Sequence, residues 1–213
     1  MAVIYLLRHG ETLWNREEIF RGRADIPLNE FGRRQAKELA NVLEKVNLQD
    51  PVFITSPLSR ARETAEIAAA FNKTLGIIDN SAFIDICFGD WEGKALAEIK
   101  TGYPDLYRTW VEHPEKIVFP GGENLESAAN RSEKGIREII DANPNGNFII
   151  VSHRAVNKAL LCRLLGMGME GFWKLRQDTA CLNEIHFSKT TFTLVRLNDT
   201  CHLEAPGKDI KDS

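Results

Sequence analysis

No apolar stretch in the 213-residue chain approaches the length of a membrane span, and Met1-Ala2 runs straight into an apolar segment without a signal-peptide pattern. The chain therefore reads as soluble and cytoplasmic. Cysteine is scarce, and Cys87, Cys162, Cys181 and Cys201 show no paired spacing. That excludes a disulfide scaffold and reads as reduced thiols. An excess of one charge is lacking too, since 27 basic residues face 30 acidic ones for a net charge of −3; neither nucleic acid nor an anionic membrane is an expected partner. The five histidines include no pair one helical turn apart, so no metal is expected. There is no Pro- or Ser-rich tract, internal repeat or long charge block. Without a linker, residues 1–203 read as one domain able to bury a sizeable core, with residues 204–213 a polar tail.

What is present is a repeated plan of an apolar run ending in a cation or a histidine. Val3-Ile4-Tyr5-Leu6-Leu7 leads into Arg8-His9-Gly10-Glu11-Thr12, Val52-Phe53-Ile54-Thr55-Ser56 into Pro57-Leu58-Ser59-Arg60, and Phe148-Ile149-Ile150-Val151 into Ser152-His153. Such continuous runs read as strands covered on both faces, and open α/β sheets bind ligands at the carboxyl ends of parallel strands. If the three strands are parallel neighbours, Arg8, His9, Arg60 and His153 meet at one edge. Two imidazoles between two permanent cations suit a phosphate, whose oxygens the guanidinium forks can take in pairs. A neutral imidazole there can attack phosphorus in line without a metal. The other imidazole, if protonated, can donate to a non-bridging oxygen. A proton donor for the leaving oxygen is still required.

Periodicity and turn residues predict helices over 29–46, 57–72, 93–101, 103–112, 124–142 and 154–166, with Pro144 and Gly146 ending the fifth. Glu184 to Ser188 and Phe192 to Leu197 alternate around Lys189-Thr190 as an antiparallel hairpin. The expected fold is an α/β three-layer sandwich, α/β/α, with a mostly parallel central sheet and an antiparallel edge. His113 and His186 have no motif around them and read as surface or packing residues. Trp91, Trp110 and Trp173 read as core or rim packing.

The segment Arg8-His9-Gly10-Glu11-Thr12 with Trp14-Asn15 resembles the signature of the histidine phosphatase superfamily, also called phosphoglycerate mutase-like. Asp25-Ile26-Pro27-Leu28-Asn29-Glu30-Phe31-Gly32, Ser56-Pro57-Leu58-Ser59-Arg60-Ala61, Phe88-Gly89-Asp90-Trp91-Glu92-Gly93, Gly121-Gly122-Glu123 and Val151-Ser152-His153 follow in the family's order. The resemblance implies that His9 becomes phosphorylated, that Arg8, Arg60 and His153 form the phosphate pocket, and that Asn15 and the Arg21-Gly22 loop contact substrate. It implies no cofactor and no metal. The family's proton donor is usually a glutamate at the position occupied here by Asp85, which is one methylene shorter. Glu92 and Glu11 are the fallback carboxylates.

Within the superfamily, mutases that return the phosphoryl group to a second hydroxyl usually carry a longer insertion between the acid and the second histidine. Only about sixty-seven residues separate Asp85 from His153, which favours hydrolysis. The C-terminal third is similar to the metal-independent phosphoserine phosphatase branch, which implies a substrate role for His202 and a small anionic, carboxylated phosphomonoester as substrate. Phe88 stands where that branch tends to carry histidine. Arg154, next to the pocket histidine, is either a carboxylate or second-phosphate contact or a solvated helix-start arginine. The alternatives are a bisphosphoglycerate-dependent mutase and a non-catalytic regulatory protein that binds a phospho-ligand. A homodimer is left open.

Overall fold

The computed structural model describes residues 1–46, 48–70, 74 and 76–204. In chain order the elements are β1 (Ala2–Arg8), α1 (Leu13–Arg16), α2 (Glu30–Val46), β2 (Val52–Thr55), α3 (Ser59–Ala69), β3 (Ile77–Asp79), α4 (Leu96–Gly102), α5 (Pro104–Glu112), α6 (Leu125–Ala142), β4 (Asn147–Ser152), α7 (Arg154–Leu164), β5 (Leu182–Ser188) and β6 (Thr191–Asp199). The strands form one sheet in the order β3-β2-β4-β1-β5-β6. The first four in that order run parallel, whereas β5 pairs antiparallel with β1 and β6 antiparallel with β5. The fold is the expected α/β sandwich with its antiparallel edge.

The apolar strands alternate between two cores, which is why they show no polar face in sequence. Tyr5, Leu7, Phe53, Ile149 and Val151 point to one side and pack with Leu39 and Leu43 of α2 and Ala61 and Ala65 of α3. Ile4, Leu6, Ile54, Phe148 and Ile150 point to the other, against Ile136 and Ile140 of α6 and Leu160 and Leu161 of α7. Each large side chain so buried contributes roughly 1.5–3 kcal/mol. The register pairs Arg8 with Ser152 and Thr55 with Val151, so the three strands end level.

Element limits differ from expectation where the backbone leaves helical geometry. The helix expected over 57–72 starts at Ser59, because Leu58 is extended (φ −70°, ψ 136°) and caps it; positions 71 and 72 lie outside the described residues. The helix expected over 93–101 starts at Leu96, after a 3₁₀ turn at Gly89–Trp91 and a left-handed Gly93 (φ +78°). Strand β3 and helix α1, of 3 and 4 residues, are too short to produce a periodic signal. Residues 205–213 of the expected polar tail lie outside the described residues.

The loop after β1 crosses the start of α2 so closely that neither chain can carry a side chain. A Cβ at Gly10 would sit 2.4 Å from the Gly32 carbonyl oxygen, and one at Gly32 would sit 2.1 Å from that of Glu11. Gly10→Ala is therefore expected to lower stability by about 2–3 kcal/mol, since backbone must move. Urea unfolding measures this; an unchanged midpoint would show that the crossing can relax freely.

Candidate active site

Each of the three level strand ends delivers its side chains by a specific tether. The His9 N–H donates to the Ser152 carbonyl (3.1 Å), the Ser56 N–H to that of Val151 (3.0 Å), and the Ala180 N–H to that of His9 (3.1 Å). His153 caps the N-terminus of α7, so the positive end of the helix also faces the site. Arg8, His9, Arg60 and His153 are brought together and are all buried, none more than 1 % exposed.

The His9 and His153 ring centroids lie 5.2 Å apart. His9 Nδ1 is 2.6 Å from the Gly10 carbonyl oxygen, which an imidazole can meet only by donating N–H. In the neutral ring this places the lone pair on Nε2, and Nε2 has no hydrogen-bond partner. His153 Nε2 lies 2.8 Å from Ser56 Oγ, while its Nδ1 has none. Burial pushes both rings well below the ordinary imidazole value; Arg60, Arg8 and Arg21 push His9 further, and Arg60 and His9 lead the further causes for His153. At neutral pH both rings are uncharged.

These depressed histidines link stability to pH. Below about pH 6.5 the unfolded chain binds protons that the two buried rings refuse, so unfolding becomes easier as pH falls, and above that value the contribution is flat. Between pH 7.5 and 5.5 the unfolding free energy is expected to fall, with a shallower slope in His9→Gln. Equal slopes would show that the rings protonate freely in the fold.

Arg60 differs from the expected open fork. Its Nη1 donates to the Ala24 carbonyl (2.8 Å) and its Nη2 to the Gly22 carbonyl (2.8 Å) and Asp85 Oδ2 (3.1 Å), leaving Nε without a partner. It thus shapes the 21–25 loop while presenting one donor inward. Asp85, 5 % exposed, accepts from Arg60 and the Ile86 N–H and lies 3.6 Å from His153 Nδ1. The shorter aspartate reaches the pocket because its backbone is held. Arg131 of α6 donates to the carbonyls of Ala82 (2.8 Å) and Asp85 (3.2 Å), and Glu123 pairs with Arg131 (2.8 Å) while accepting the Cys87 N–H (3.0 Å).

The fallback carboxylates are engaged elsewhere. Glu92 Oε1 accepts the backbone N–H groups of Arg23 (3.1 Å) and Phe88 (3.0 Å), and Glu11 Oε1 accepts from Asn29 (2.9 Å). Asn15 is buried, its Oδ1 taking both the N–H and the hydroxyl of Thr12 at 2.9 Å. Gly22 has φ +52°, and a Cβ there would lie 2.1 Å from Glu92 Oε1. Arg21, Gly22, Asp85 and Arg154 line a pocket of about 650 Å³ of empty space, its open mouth included, whose wall is otherwise mostly aromatic and aliphatic. Arg154 stacks on the Trp173 ring, 5.7 Å from its centroid. His202 does not line this pocket; its ring donates to the Ala180 carbonyl (3.0 Å), one link behind His9.

Several supporting residues carried no sequence signal. The Gln177 carbonyl accepts from Arg8 Nη1 at 2.6 Å across 169 residues of chain, and the Gln177 side-chain amide pairs with that of Asn183. Ser56 lay within a recognised motif, but its contact with His153 spans 97 residues. The four cysteines are free, with Cys162 and Cys181 buried, Cys87 partly exposed and Cys201 exposed. Among the described residues no group of three or more His, Cys, Asp or Glu side chains could hold a metal ion.

A buried pair of neutral imidazoles flanked by arginines, with a carboxyl beside them, is the equipment of phosphoryl transfer. The description of the histidine phosphatase superfamily (branch 1) fits residues 4–200. The chain belongs to that family, and it is a phosphomonoester hydrolase. It is 38% identical to phosphoserine phosphatase 1 of Hydrogenobacter thermophilus over 204 residues, 95% of each chain. It is 29% identical to the adenosylcobalamin/alpha-ribazole phosphatase of Escherichia coli over 195 residues, 92% of this chain and 95% of that one. Among solved structures, Bacillus stearothermophilus YhfR superposes with a TM-score of 0.88 at 30% identity, covering 95% of this chain and 99% of the other.

Proposed function

We propose that the enzyme hydrolyses a small carboxylated phosphomonoester through a phosphohistidine at His9, without a metal. The observation that carries this reading is His9 Nε2, a buried, unprotonated nitrogen with no partner, whose opposite nitrogen is tied to the Gly10 carbonyl. The substrate dianion docks among Arg8, Arg21, the Arg60 Nε donor and Asn15, which supply the positive field a metal would otherwise give. Nε2 attacks phosphorus in line, the bond from phosphorus to the alcohol oxygen breaks, and a protonated Asp85 gives that oxygen its proton. His153, held neutral by burial and then by Arg60, accepts the Ser56 hydroxyl at Nε2 and donates its Nδ1–H to a non-bridging oxygen. Asp85, now a carboxylate, then deprotonates a water that attacks the phosphohistidine; inorganic phosphate leaves and His9 is restored.

Arg154 supports the carboxylate, because it lines the pocket beside Asp85 and is steadied on Trp173. Arg154→Ala is expected to raise KM for a carboxylated substrate about tenfold and to spare a neutral aryl phosphate. Equal losses on both would remove Arg154 from substrate binding. Four free thiols favour a cytoplasmic setting. The reading as a whole is tested by phosphate release across a panel of phosphomonoesters, with chelator present and His9→Ala as control. Chelator-insensitive release that is absent in the control supports it; isomerisation of 3-phosphoglycerate without phosphate release would favour the mutase instead.

A further inference from the structure

We infer that His202 is a positioning residue for His9, because it holds Ala180 in a backbone conformation that alanine disfavours and Ala180 in turn holds the His9 carbonyl. The inference rests on the reading of His9 as the nucleophile. It moves His202 from the substrate to the framework behind the site.

The segment 177–181, which leads into β5, meets the end of β1 at three points. The Gln177 carbonyl accepts from Arg8 Nη1 (2.6 Å), the Cys181 carbonyl accepts the Arg8 N–H (3.2 Å), and the Ala180 N–H donates to the His9 carbonyl (3.1 Å). Gln35 of α2 ties the same segment to the loop after β1, donating to Thr179 Oγ1 (2.9 Å) and accepting the Glu11 N–H (2.9 Å). The place of His9 at the end of its strand therefore depends on the path this segment takes.

That path contains a strained residue. The Cys181 N–H closes a turn onto the Asp178 carbonyl (3.2 Å), and Ala180, the third residue of the turn, is buried with φ +53°. A β-turn with positive φ at its third position favours glycine there, because a Cβ crowds the backbone in the left-handed region. Relaxing the alanine rotates the peptide that carries its N–H and takes the donor away from His9. Two restraints oppose this. Asp178 and Asn198 fix the start of the turn reciprocally, the Asp178 N–H donating to Asn198 Oδ1 (2.6 Å) and Asn198 Nδ2 to Asp178 Oδ2 (2.9 Å). His202 fixes Ala180 itself, its Nε2 donating to the Ala180 carbonyl (3.0 Å). The ring is carried there by the turn after β6, closed by the Leu203 N–H on the Thr200 carbonyl (3.0 Å). Burial keeps it below the ordinary imidazole value, neutral with its proton on Nε2. With Nε2 so engaged and the ring off the pocket wall, His202 serves the backbone and not the substrate.

Glycine adopts the left-handed conformation freely, so at position 180 it should make His202 dispensable. In the native background His202→Ala is expected to lower kcat about tenfold for phosphoserine, 3-phosphoglycerate and p-nitrophenyl phosphate alike, with KM within about twofold. In an Ala180→Gly background the same substitution should cost less than about twofold. His202→Gln, whose amide nitrogen can reach the Ala180 carbonyl, should keep most of the native kcat, and the shorter His202→Asn should not. Hydrogen exchange at the amide of position 180 follows the tether without turnover. It should speed up in His202→Ala and change little when that substitution is made in the Ala180→Gly background. An equal kcat loss in both backgrounds, a loss confined to KM or to carboxylated substrates, or no loss at all would overturn the inference. If exchange follows the expected pattern while hydrolysis persists in His9→Ala, His202 holds Ala180 as inferred and the nucleophile reading alone falls.

Discussion

His9→Ala is expected to reduce phosphate release on the order of 10⁴-fold or more while leaving the sheet and helices in place, as read by circular dichroism. The effect is this large because donation from Nδ1 to the Gly10 carbonyl fixes an unprotonated lone pair on His9 Nε2, which has no hydrogen-bond partner. The arginines remain in the variant and still hold substrate, so KM should change little. Residual activity within tenfold of the native enzyme would mean that water attacks phosphorus directly and that the ring merely binds.

Asp85→Asn gives the second large effect, and it depends on the substrate. A general acid contributes roughly 10²–10⁴-fold where the leaving oxygen is strongly basic, and little where it departs unaided. Alkyl phosphates should therefore lose about 10³-fold, while p-nitrophenyl phosphate should lose less than about tenfold. Arg131→Ala should show the same leaving-group dependence at smaller amplitude, because Arg131 holds the Asp85 carbonyl rather than the reacting oxygen. The measurement is the slope of log kcat/KM against leaving-group pKa across substituted phenyl phosphates. A slope unchanged in Asp85→Asn would remove Asp85 as the acid, and one unchanged in Arg131→Ala would leave that arginine purely structural.

The architecture was legible because its strands are continuous apolar runs that end in chemistry-bearing residues. Arg8, His9, Arg60 and His153 could be placed together from that pattern alone, since level strand ends follow from parallel neighbours. The antiparallel edge was readable for a similar reason, its alternation broken at a left-handed Lys189 (φ +58°). Tertiary support was not legible. Gln177 under Arg8, Arg131 under Asp85 and Ser56 beside His153 act across 46 to 169 residues of chain, and nothing local marks such pairings. Nor could sequence show that the ends of the Arg60 fork are spent on Gly22, Ala24 and Asp85. The apolar wall of the pocket was similarly dispersed, with Trp110 and Trp173 reading as core or rim packing and Phe88 standing out only as the position where the phosphoserine phosphatase branch tends to carry histidine.

The stereochemical course at phosphorus tests the covalent phosphohistidine most directly. A phosphomonoester made chiral with oxygen isotopes is offered to the enzyme together with an alcohol that captures the phosphoryl group. Attack by His9 Nε2 followed by attack of the acceptor is two in-line displacements, and each inverts the centre. Net retention is the expected result. Net inversion would mean a single displacement in which phosphorus never bonds to His9.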